Sequence, residues 1–163
     1  MDVRLSPEQE ALRDAASQLV GRHGPKAVGQ LDDRERADKL EAVMATTGWR
    51  ELRTDDHGAP LAGGTEVVLV AEELARGLAD APFIGPTLAA ELRRVAGLPP
   101  ADGLETVLLG SGMADLACVP NGSVPDAVAV DAAGAGRALA LAPARDGHSV
   151  VSVALIDASG QGG

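Results

Sequence analysis

The chain has 163 residues, 45% of them apolar, but only one Trp, one Phe and no Tyr, so its core must be built from Ala, Val and Leu. Its net charge is −10, and its basic residues are scattered singly or in pairs. This argues against nucleic-acid binding through phosphate contacts or aromatic stacking. A single cysteine, Cys118, lies in an apolar run and reads as a small buried hydrophobe; it allows no disulfide within the chain, and with the polar start MDVRLSPEQE it points to a cytoplasmic protein. No apolar run approaches the length of a membrane span.

Ser6-Pro7-Glu8-Gln9 predicts a helix start, with Ser6 as cap, Pro7 in the first turn and Gln9 completing a capping box. Leu12, Ala16, Leu19 and Val20 follow at helical spacing, and Gly21 with Gly24-Pro25 is expected to end the helix. A second helix is predicted from about Asp33, carrying Leu40, Val43, Met44 and Thr47 on one face and stopped by Gly48. Trp49 and Leu52 then read as packing anchors. Asp55-Asp56-His57-Gly58 places two carboxylates beside a histidine, but adjacent turn residues rarely converge on one ion, so the stretch reads as a turn. No metal site and no catalytic residue is assigned.

Thr65 is expected to cap a third helix with Val67, Val70, Ala71, Leu74 and Leu78 as its stripe. Val68 and Leu69 widen that stripe, so the first two turns should be buried nearly all round. Glu72, Glu73 and Arg76 mark the wet side. Pro82 breaks this helix, and Pro86 starts a fourth with a predicted face of Leu88, Leu92 and Val95.

Beyond Pro99 the pattern changes to short apolar runs at 106–109, 116–119, 127–130, 138–141 and 149–156, bounded by Gly, Pro, Asn or Asp. Asn121-Gly122 and Asp146-Gly147 read as turn pairs. His148 reads as a surface residue. The fold class expected is therefore α+β: an N-terminal helical bundle over 1–100, then a small, mostly antiparallel β domain over 104–163. With no helix after it, the β segment is expected to leave open edges and one bare face.

Four stretches, in order, resemble the acyl-CoA dehydrogenase family. Leu5-Ser-Pro-Glu-Gln-Glu-Ala-Leu-Arg13 resembles its opening helix, and Thr47-Gly-Trp-Arg-Glu-Leu52 its Gly-Trp segment. Asp55-Asp56-His57-Gly58 with Leu61-Ala62-Gly63-Gly64 is similar to its acidic, glycine-rich loop, although Pro60 stands where a glycine is common. Val70-Ala-Glu-Glu-Leu-Ala-Arg76 with Ala81-Pro-Phe-Ile-Gly85 is similar to its E-E-L-G-R-x-L-A-P-x-P-F run. The resemblance covers residues 3 to about 98, and 104–163 looks like a shortened middle β domain.

What the resemblance implies is FAD-dependent α,β-oxidation of acyl-CoA thioesters, with Phe83, Ile84 and Leu88 as substrate-pocket candidates. The family's T-E-x-x-x-G-S-D segment near the flavin has no counterpart between Gly103 and Asp131, and its C-terminal helical domain, which carries the base, is absent from the sequence. The cofactor-binding residues therefore stay unknown. The expected role is a truncated or non-catalytic subunit beside a full-length acyl-CoA dehydrogenase partner, which would hold most of the FAD. The alternatives are an inactive fragment and an α+β binding module without enzyme activity.

Overall fold

The computed structural model describes residues 4–120 and 126–155. The fold is α+β: four helices precede a four-stranded sheet.

Helix α1, Pro7–His23, starts as its sequence predicts. Ser6 Oγ accepts from the Gln9 N–H at 3.2 Å, and Gln9 Oε1 accepts from the Ser6 N–H at 3.0 Å. The helix runs through Gly21 and ends against Gly24, whose extended backbone suits the proline that follows. Helix α2, Arg34–Met44, is capped by Asp33, which accepts from the Arg36 N–H. It stops before Gly48, where the Thr46 and Thr47 hydroxyls bond back to the carbonyls of Val43 and Met44. Gly48, at φ 71°, instead turns the chain into a 3-10 turn, Trp49–Glu51, that buries both Trp49 and Arg50. A two-residue hairpin, β1 Asp55–Asp56 and β2 Ala59–Pro60, follows; His57 and Gly58 at its tip both have positive φ, as primed hairpin turns require.

Helix α3, Gly64–Arg76, begins earlier than Thr65 and has no side-chain cap on its N-cap residue, Gly63. Its buried face is Leu69, Val70, Glu73 and Leu74. Val68 is 62% exposed, so the first turns are not buried all round. Leu78 falls off the stripe, because the helix has already ended and Leu78 itself turns left-handed at φ 50°. Glu73, expected on the wet side, faces inward and is held by Arg76 at 2.8 Å. The Glu72–Arg76 pair forms at 2.6 Å.

Helix α4, Ile84–Val95, takes Pro86 into its first turn and buries Gly85, Pro86, Thr87 and Ala89. Leu92 is half-buried, while Leu88 and Val95 of the predicted face point outward. The small residues win the inner face because the helix lies close to the sheet. A Cβ at Gly85 would collide with Val130 O and Thr106 Oγ1.

The sheet order is β4 (Ala127–Ala129), β3 (Glu105–Gly110), β5 (Arg137–Ala144), β6 (Gly147–Ala154). Two of its three pairings are antiparallel; β3 and β5 run parallel. Beyond Leu139 the two central strands separate, and residues 115–119 fill the gap. The Ala117 N–H donates to Leu108 O, while the Val119 N–H and the Ala117 carbonyl bond to Leu141. The run at 116–119 is thus bridged to both strands without forming one of its own. Around the β5–β6 loop, Arg145 and Asp146 are the turn residues and Gly147 opens β6. The Asn121-Gly122 turn lies outside the described residues.

One cluster joins α1, α2 and α3 to Trp49 and Phe83. A second joins Ala89 of α4 to Val107 and Leu139 on one face of the sheet, so α4 is shared by both layers. The opposite face is not bare at its centre: Leu108, Ala117, Val119, Ala138 and Ala140 are all buried there.

Candidate functional site

A groove of about 390 Å³ separates α2 and the Trp49–Glu51 turn from α4 and the connection to β3. Its floor is apolar (Pro86, Ala89, Leu98, Leu104) and its walls are charged. Arg50 is carried to one wall by the 3-10 turn. Its Nε donates to Pro82 O at 2.7 Å, and its two terminal nitrogens clamp Glu41 at 2.7 and 2.6 Å. Arg93, on the inner side of α4, clamps the buried Glu105 at 2.6 and 3.0 Å and donates to Pro99 O at 2.8 Å. Arg94 grips Glu91 through two bonds, and Arg53 reaches the same carboxylate at 3.1 Å.

These pairs set the electrostatics. Glu91 is held down at about 2, first by its bond to Arg94 and then by Arg53. Its bond to Glu91 raises the Arg94 guanidinium, and the bond to Glu105 raises Arg93. Bidentate clamps of this kind leave a guanidinium little capacity for another anion.

The pyrophosphate of FAD needs free cations or uncommitted backbone N–H groups. The groove arginines are already committed to carboxylates and carbonyls, so these residues do not fit that cofactor. Nor do the buried carboxylates Glu73 and Glu105, or the half-buried Glu91, offer a base. Glu73 and Glu105 are both ion-paired, and Glu91 binds a proton too weakly.

The three pocket candidates separate. Phe83 is 3% exposed and packs in the helical cluster with Trp49 and Leu74. Ile84 and Leu88 lie one turn apart on the outer side of α4, at 41% and 43% exposure. None of the three lines the groove. Val128 of β4, two residues from the α4-facing Val130 and so on the same side of the sheet, is also exposed. The Asp56–His57 pair sits at an open hairpin tip, with His57 fully in solvent. Among the described residues no three His, Cys, Asp or Glu side chains converge to hold an ion.

One arrangement has no local sequence signal. Asp131, just past β4, accepts the N–H groups of Phe83 at 2.6 Å and Ile84 at 3.0 Å. A carboxylate from the β segment thus caps the helix that carries the pocket candidates. Next to it, Thr106 Oγ1 donates to Val130 O.

The fold and its junction define a two-layer α+β protein whose last helix is locked to a mixed sheet. No family model, curated protein or solved structure matches the chain.

Proposed function

We propose that this chain is an acyl-CoA dehydrogenase-type protein that serves as a truncated or non-catalytic subunit in the cytoplasm. A full-length partner carries the FAD and the base for α,β-oxidation of an acyl-CoA thioester. The observation that carries this reading is the pair Ile84 and Leu88, held outward on α4 while Asp131, Gly85 and Thr106 fix the other side of that helix to the sheet. A rigidly placed aliphatic wall is what an acyl chain requires of such a subunit. The commitment of every groove arginine supports a cofactor bound mainly by the partner. The four motifs in family order support the same assignment.

The test is co-expression with an acyl-CoA dehydrogenase encoded beside this chain. The expected result is a yellow complex of both chains whose KM for acyl-CoA rises in Leu88→Asp. A colourless chain that elutes without the dehydrogenase overturns the reading and leaves the non-enzymatic binding module, which the saturated groove also favours.

A further inference from the structure

Among the described residues, β6 is the edge of the sheet, and it is long and chemically unguarded. The Leu155 N–H donates to Gly136 O, which fixes the phase of the β5–β6 ladder. With the register Arg137↔Ala154, residues 147, 149, 151 and 153 also turn their peptide groups toward β5. The neighbouring strand agrees, since Leu141, opposite Val150, bonds away from β6 to residues 117 and 119. It follows that His148, Val150, Ser152 and Ala154 direct their N–H and C=O groups to the open side. Natural edge strands are blunted by proline, charge or brevity. β4 is three residues long and flanked by Asp126 and Asp131. β6 has eight residues, with no Pro, Lys, Arg, Asp or Glu among them.

We propose that β6 pairs with β6 of a second copy, antiparallel about a two-fold axis through Val151. That register sets His148, Val150, Ser152 and Ala154 opposite the partner's Ala154, the partner's Ser152, the partner's Val150 and the partner's His148. All the outward peptide groups are then used, and the two sheets become one of eight strands. Val151 meets the partner's Val151 in a non-hydrogen-bonded pair, where side chains approach most closely. Ser149 meets the partner's Val153. Val151 and Val153 already belong to the apolar cluster on that face, so pairing extends the cluster across the axis. The self-matching register selects the occupant, and charge permits it: each copy carries a net charge of −10, but β6 holds no carboxylate to oppose its counterpart across the axis. The pairing is isologous and closes, so it stops at a dimer. It does not depend on the acyl-CoA reading.

The test is light-scattering mass of the full chain across a concentration series, with residue-resolved amide exchange. Ser152→Pro removes an outward N–H and leaves the β5 ladder whole; Ser152→Lys places a charge on the edge without touching the backbone. The expected result is a two-chain mass that dissociates on dilution, with slowed exchange at 148, 150, 152 and 154 in the dimer. Each variant should weaken dimerisation at least about tenfold. A one-chain mass at every concentration overturns the proposal. So does a dimer that both variants leave intact, or protection of those four amides at one-chain mass, which would mean a strand of the chain itself covers the edge.

Discussion

Glu91 shows how far single groups here are tuned for structure. Its carboxyl titrates at about 2 in the folded chain against an ordinary value of 4.5, because the charged form is bonded to Arg94 and Arg53. A depressed carboxyl stabilises the fold fully above its unfolded value and loses that contribution as pH falls through the folded one. Stability should therefore be flat above about pH 4.5 from this group and decline toward pH 2. Glu91→Gln should flatten that acid limb in denaturant titrations. At Gly85 the limit is space: Gly85→Ala drives a methyl into Val130 O and Thr106 Oγ1 and should cost about 1–3 kcal/mol by chemical denaturation. Asp131→Ala removes the cap on Phe83 and Ile84, for a loss of about 1 kcal/mol. Asp131→Asn keeps an acceptor and should lose less.

Among the elements, α1 and α3 run side by side, from the Gln9–Glu66 bond to Gly77, the residue that ends α3. A Cβ on Gly77 would overlap Val20 Cγ1, so α1 touches the end of α3 there through backbone and a methyl. Gly77→Ala should destabilise, and adding Val20→Ala should relieve the clash. The double variant is then less damaged than the sum of the singles by at least about 0.5 kcal/mol. Helix and strand existence was legible in the sequence wherever caps and periodicity were local: Ser6 to Gln9, Asp33 to Arg36, and the apolar runs of β3, β5 and β6. What failed was the choice of face. Of the bulky stripe Leu88, Leu92 and Val95, only Leu92 packs against the sheet; the helix turns Gly85, Pro86 and Ala89 inward beside it, because close approach to the sheet selects small residues. Glu73 turns inward against its charge because Arg76, itself on the exposed side, reaches its carboxylate and neutralises it. The site was less legible still. Arg50 and Glu41 are 9 residues apart, off any helical spacing, and Asp131 is 48 residues from Phe83, whose N–H it accepts at the start of α4.

At the scale of the molecule, the two layers are joined through one helix, which the helical layer reaches through Phe83, through the Trp49–Glu51 turn packed on α4 and through the Arg53–Glu91 pair. Phe83 belongs to the helical cluster by its side chain and to the β segment by its N–H, which Asp131 accepts. Unfolding either layer should therefore unfold the other. The described residues contain no helix long and apolar enough to cross a membrane.

Trp49 gives that coupling an optical consequence. It is buried in the helical cluster, and with no tyrosine in the chain it is the dominant near-ultraviolet emitter. Its fluorescence therefore watches the helices and is blind to β3–β6. Fluorescence and sheet-amide exchange should give coincident denaturation midpoints in the native sequence, as a cooperative two-state chain requires. In Asp131→Ala the midpoints should separate, with the sheet losing protection before the tryptophan emission shifts.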